Sequence, residues 1–121
     1  MNRKRALNSR YKNLGIVHLY KIRNRKLIEL TGDLVITEND YFSIVNTRFE
    51  IKNDAGKIIK VYACSSIEGD VFNNIVWLYE EDRKKAAELL CNNQKKLIKD
   101  LKEKIASHGE LVDMLEKEME N

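Results

Sequence analysis

The sequence changes its period at Glu80, and this constrains the fold more than any other feature. Before Glu80, short runs rich in Ile, Val, Leu, Tyr and Phe alternate with polar residues or turn residues, the signature of strands. After it, the chain is built from Ala, Leu, Lys, Glu, Met and Ile, which favour helix. A β half followed by a helical half, with no helices between the strands, predicts an α+β fold. The expected architecture is an N-terminal antiparallel β-meander or small open barrel followed by one or two long C-terminal helices.

Residues 1–14 read as a basic arm. Leu7, Tyr11 and Leu14 share one helical face, so the arm is either a short amphipathic helix or an unstructured terminus. Residues 15–79 read as the sheet, starting with the alternating stretch from Ile16 to Ile22 and the polar turn Arg23-Asn24-Arg25-Lys26. Thr31-Gly32-Asp33 reads as a turn or bulge, and Tyr41 to Lys52 as one long strand or two short ones. Asn53-Asp54-Ala55-Gly56 is the clearest hairpin turn, with glycine supplying a positive φ. Residues 80–121 read as helix, with Glu80-Glu81-Asp82 in its first turn, where the macrodipole favours acids.

The helical half carries a heptad seam. Cys91, Ile98, Ile105, Val112 and Met119 fall seven apart, and Ala87, Gln94, Leu101, His108 and Leu115 fill the complementary positions. Ile98, Leu101, Ile105, Val112 and Leu115 are the expected oligomer seam. Lys95, Lys102 and Lys104 flank its first part; Glu116 and Glu118 flank its second. This division matches an antiparallel pairing, within one chain or between two copies. Ser107-His108-Gly109-Glu110 fits a capping box, which predicts a helix break near 107–109.

Chemistry is sparsely signalled. His18, Cys64, Cys91 and His108 lack the close spacing of zinc ligands, so no metal site is expected. Neither cysteine lies in a nucleophile motif, and the five glycines are scattered singly, which excludes a P-loop and a GxGxxG turn. A non-enzymatic protein without cofactor is the expectation. Two cysteines make no disulfide framework, and two buried thiols are expected. No apolar run approaches the roughly 18 to 20 residues that cross a bilayer. The basic start is not followed by the apolar stretch of a secretory signal. Together these predict a cytoplasmic protein without membrane contact.

Binding is better supported. The net charge of +3 conceals nine Lys and Arg residues before Glu29 with no acid among them. Tyr20, Arg23, Arg25 and Lys26 gather at one strand end, where guanidinium forks suit phosphate and an aromatic ring suits a base. Arg48, Trp77 and Asn92 extend this candidate ligand site.

The order of parts also bears on function. A sheet ending in Ile75-Val76-Trp77-Leu78-Tyr79 runs into Glu80-Glu81-Asp82-Arg83-Lys84-Lys85-Ala86-Ala87-Glu88-Leu89-Leu90 and then a Lys/Glu-rich helix. In layout this resembles small phage and prophage proteins of Gram-positive bacteria. It is also similar in size and layout to Thoeris anti-defence sponge proteins, which sequester cyclic nucleotide immune signals as oligomers. The resemblance implies a phage-type accessory protein that binds an anionic small molecule, such as a cyclic nucleotide or ADP-ribose derivative, as a homo-oligomer. Two alternatives stand beside it. One is a protein-interaction inhibitor or adaptor acting on a host nucleic-acid-dependent enzyme. The other is a nucleic-acid-binding protein that uses the basic N-terminal arm.

Overall fold

A computed structural model describes residues 9–39 and 44–120. Among the described residues the strands are β1 (Ser9–Arg23), β2 (Lys26–Asn39), β3 (Ile44–Lys52), β4 (Ile58–Ala63) and β5 (Ile75–Leu78), followed by a helix, α1 (Arg83–Glu120). They form an antiparallel sheet in the order β4-β3-β2-β1-β5. The α+β class and the antiparallel sheet are as the sequence predicts. The chain divides after Leu90 into two compact units.

In the first unit, each strand face has its own core. Val17 and Leu19 of β1 join Leu34, Phe49, Cys64, Ile75 and Trp77 on one face. Tyr20 joins Val76, Leu78, Ala86 and Leu90 on the other. All four residues of β5 are therefore buried, because Ile75 and Trp77 serve the first core and Val76 and Leu78 the second. The sheet curls around the first core. Lys21 Nζ of β1 lies 4.5 Å from the ring of Tyr62 on β4, although β2 and β3 stand between those strands. The 64–74 segment links β4 to β5 at the opposite sheet edge, and Trp77 Nε1 donates to Ser65 O at 2.7 Å. Burying that indole contributes on the order of 3 kcal/mol.

Several boundaries differ from the sequence reading. Residues 9–14, read as part of the basic arm, belong to β1, which pairs with β2; residues 1–8 and the first part of the Tyr41–Lys52 stretch lie outside the described residues. Leu14 sits at a bulge between Asn13 and Gly15 and packs against the first core, so it anchors the strand where a helix seemed equally compatible. Gly32 makes no turn; β2 runs through it. The Asn53 turn forms as expected, with Asn53 Oδ1 accepting from Ala55 N and Lys57 N at 3.0 and 2.9 Å and Gly56 at φ +79°.

The helix starts three residues later than predicted. Asp82 caps it, accepting from Lys85 N at 3.0 Å, so Glu80 and Glu81 precede the helix. Tyr20 Oη accepts from Asp82 N at 2.9 Å and ties this start to β1. No break occurs at 107–109: α1 is continuous. One glycine costs about 1 kcal/mol inside a helix, and the helix formers on both sides outweigh it.

The two thiols also part company. Cys64 is buried, which pushes its thiol up to about 11, whereas Cys91 is exposed and not buried as expected. At pH 8 only about one Cys64 in a thousand is thiolate. A thiol-disulfide reagent should therefore titrate one cysteine promptly and the second only after denaturation. Two prompt equivalents in the native protein would contradict this core.

Candidate functional site

The β1–β2 hairpin ends in a two-residue turn, Asn24-Arg25, with φ of 51° and 62°. Both residues are left-handed, as a type I′ turn requires. Glycine is favoured at the second position, and an L side chain in this region costs about 1 to 2 kcal/mol. Here that side chain is an exposed arginine. Arg23 and Lys26 are directly paired across the strands, and both are exposed. Like charges facing each other oppose pairing. A fourth cation joins the hairpin from α1: Arg83 Nη2 donates to Leu27 O at 2.7 Å. The tip therefore concentrates positive charge on a rigid hairpin at a cost to local stability.

The other predicted ligand residues do not join this tip. Tyr20 and Trp77 are 0% and 1% exposed. Their rings fill the two cores, so neither offers a stacking face, which corrects the expectation of an aromatic platform. Burial pushes the Tyr20 hydroxyl above its ordinary value, and the Glu29 and Glu81 carboxylates add to this. Arg48 is engaged with Glu50, its Nη2 lying 3.6 Å from Oε2 of that fully buried carboxylate. Glu50 Oε1 accepts from the Tyr11 hydroxyl at 2.7 Å. Removing Arg48 would leave a buried charge with less compensation. Lys21 is also committed: it and Lys60 lie over the Tyr62 ring. Burial alone would raise the Tyr62 phenol, but the two ammonium groups outweigh it and hold the phenol below its usual value. Asn92 is exposed on α1, in the second unit.

A cleft of about 350 Å³ opens beside the start of the helix, lined by Glu68, Leu78, Tyr79, Glu80, Glu81, Asp82 and Lys85. Four carboxylates against one ammonium make it a poor receptor for a phosphate. Sequence reasoning missed both this acidic locality and the contribution of Arg83 to the hairpin. Acids at a helix start read as its first turn, and that pattern hides the place of Glu80-Glu81-Asp82 in the lining of a cleft.

In the second unit, the helix from Cys91 to Glu120 exposes its seam. Ile98, Leu101, Ile105, Val112 and Leu115 are each half-exposed or more, and Ile105 reaches 71%. Leu97 and Leu111 broaden the stripe. Among the described residues, no helix is long and apolar enough to cross a membrane. Comparison with protein-family models, curated proteins and solved structures finds no match.

Proposed function

We propose that this protein is a non-enzymatic, self-associating module that docks on a polyanion, with the tip of its first hairpin as the contact and its long helix as the pairing element. The observation that carries this reading is Arg25 in a left-handed turn between the paired cations Arg23 and Lys26, with Arg83 held against the same hairpin. Strain and like-charge repulsion are kept at an exposed point, and a partner's phosphates would relieve the repulsion. A convex tip without a stacking ring suits the backbone of a nucleic acid better than an enclosed mononucleotide. Self-association is supported by the exposed heptad stripe and by the Lys95–Lys104 and Glu116–Glu118 charge blocks, which complement each other when two helices run antiparallel.

The test uses a fluorescent duplex oligonucleotide at low salt. Affinity should fall steeply with added salt. The triple variant Arg23→Glu, Arg25→Glu, Lys26→Glu should weaken binding at least tenfold. Arg25→Gly should raise stability by about 1 kcal/mol, because glycine adopts this φ without strain, while still weakening binding. Undiminished binding by the triple variant would reject the tip. Tighter binding of a cyclic nucleotide or ADP-ribose derivative than of the duplex would instead favour the sequestering role implied by the layout resemblance.

A further inference from the structure

We propose that His18, Glu29 and Glu81 together form a binding site for a divalent transition metal of the zinc or manganese type, a property beyond the polyanion contact. The strand register builds it. His18 of β1 stands opposite Thr31 of β2, and Tyr20 stands opposite Glu29. His18 and Glu29 are therefore diagonal neighbours on one face, close enough for long side chains to meet. His18 is also paired with Leu78 of β5, and three residues beyond Leu78 the chain presents Glu81. The neighbouring residue, Asp82, donates its N–H to the buried Tyr20 hydroxyl, which fixes this segment against β1. One ligand atom from each of His18, Glu29 and Glu81 lies within 4.8 Å of the other two.

The chemistry of the set selects the ion. One imidazole and two carboxylates suit zinc, manganese or ferrous iron, whereas magnesium and calcium favour all-oxygen shells. Zinc holds such ligands at about 2.0 to 2.2 Å, so the groups must close slightly, a movement within reach of two glutamate side chains. Thr31 Oγ1 lies 3.4 Å from His18 Nδ1. When the metal takes Nε2, that hydroxyl can accept from the protonated Nδ1 and orient the ring. His18 and Glu29 are half-buried on paired strands, and Glu81 is exposed on the loop. The strands supply the rigid part of the site, and the loop supplies the ligand that closes over the ion. Glu81 also belongs to the carboxylate-rich cleft, whose potential draws cations. Three protein ligands leave at least one coordination position for water.

Calorimetric titration of the full chain with zinc, manganese and magnesium chlorides is the test. The background carries Cys91→Ser and His108→Ala, which removes exposed thiol and imidazole ligands. Zinc or manganese should bind one ion per chain at micromolar concentration, tenfold or more tighter than magnesium, and should raise the melting temperature. His18→Ala and Glu81→Gln should each weaken binding at least tenfold. Glu81 is exposed on a loop, so Glu81→Gln retains the fold even if His18→Ala does not, and circular dichroism checks both. Affinity unchanged by Glu81→Gln, or an absence of saturable zinc and manganese binding, would overturn the site.

Discussion

Replacing Leu101 and Ile105 together by aspartate should turn a two-copy assembly into a monomer. Sedimentation equilibrium should give twice the 14.2 kDa chain mass for the unmodified protein and the single-chain mass for the variant. Both residues are more than half exposed on α1, so the sheet unit loses nothing. In a paired state four large apolar side chains leave the interface, each worth about 1.5 to 3 kcal/mol of burial. Aspartates would also have to be desolvated there. The dissociation constant should rise by at least about a thousandfold. A monomeric wild-type protein at tens of micromolar would reject self-association. Direction is tested separately. Heptad matching sets Ile98 against Leu115 and Leu101 against Val112 in an antiparallel pair, whereas parallel helices stack Gln94 and His108 each on its own copy. Cys91 is exposed near one end of the seam. Antiparallel helices hold the two Cys91 residues about 45 Å apart at 1.5 Å per residue, so mild oxidation should leave them uncoupled. Rapid Cys91–Cys91 cross-linking would establish the parallel alternative. In this register Gln94 faces Met119, so the double variant Gln94→Cys, Met119→Cys should supply facing thiols and restore cross-linking in the antiparallel pair.

Local signals carried much of this architecture. The Asn53–Gly56 turn and the change of texture near Glu80 each depend on residues close in sequence; the turn forms where the pattern places it, and the helix begins three residues later, at Arg83. The misreadings arise where tertiary context overrides such signals. Ser107-His108-Gly109-Glu110 has the composition of a helix start, but helix propensity on both sides carries α1 through it. Thr31-Gly32-Asp33 has the composition of a turn, yet β2 remains paired on both sides of Gly32. Tyr20 and Trp77 read as ligand-stacking residues because charged or polar residues lie near them in sequence, yet both are buried. Alternation identifies an outer face only when one face is wet, and both faces here are covered where β1 meets β5. For the same reason His18, Glu29 and Glu81 were invisible as a group. Their meeting depends on the β1–β2 register and on the Tyr20–Asp82 hydrogen bond, neither of which short-range spacing reveals. The basic turn was legible because a two-residue hairpin keeps Arg23, Arg25 and Lys26 together wherever the rest of the sheet lies.

Gly32→Ala should destabilise the first unit by about 3 kcal/mol, at the upper end of the usual cost of overpacking. In a chain of this size that lowers the melting temperature by about 10 °C. The cause is space. A Cβ on Gly32 would lie 2.5 Å from the Glu50 carbonyl oxygen and 2.7 and 3.1 Å from Cζ and Cε1 of Phe49. The Phe49 ring is wholly buried among Val17, Leu34 and Trp77 and has nowhere to retreat. The carbonyl belongs to the β2–β3 pairing, where Asp33 faces Glu50, so moving it strains that ladder. Close-packed interiors transmit such displacement. Gly32→Val, with two further methyl groups, should fail to give a cooperatively folded sheet. Gly109→Ala provides the opposite control. Nothing lies within 4 Å of its added Cβ, and it sits inside α1, so alanine should stabilise the helix by about 1 kcal/mol. Thermal melts of the three variants, followed by near-ultraviolet circular dichroism of Trp77 for the sheet and at 222 nm for the helix, separate the effects. A neutral Gly32→Ala would mean that Phe49 does not rest on Gly32, and the first core would have to be redrawn around a different contact between β2 and β3.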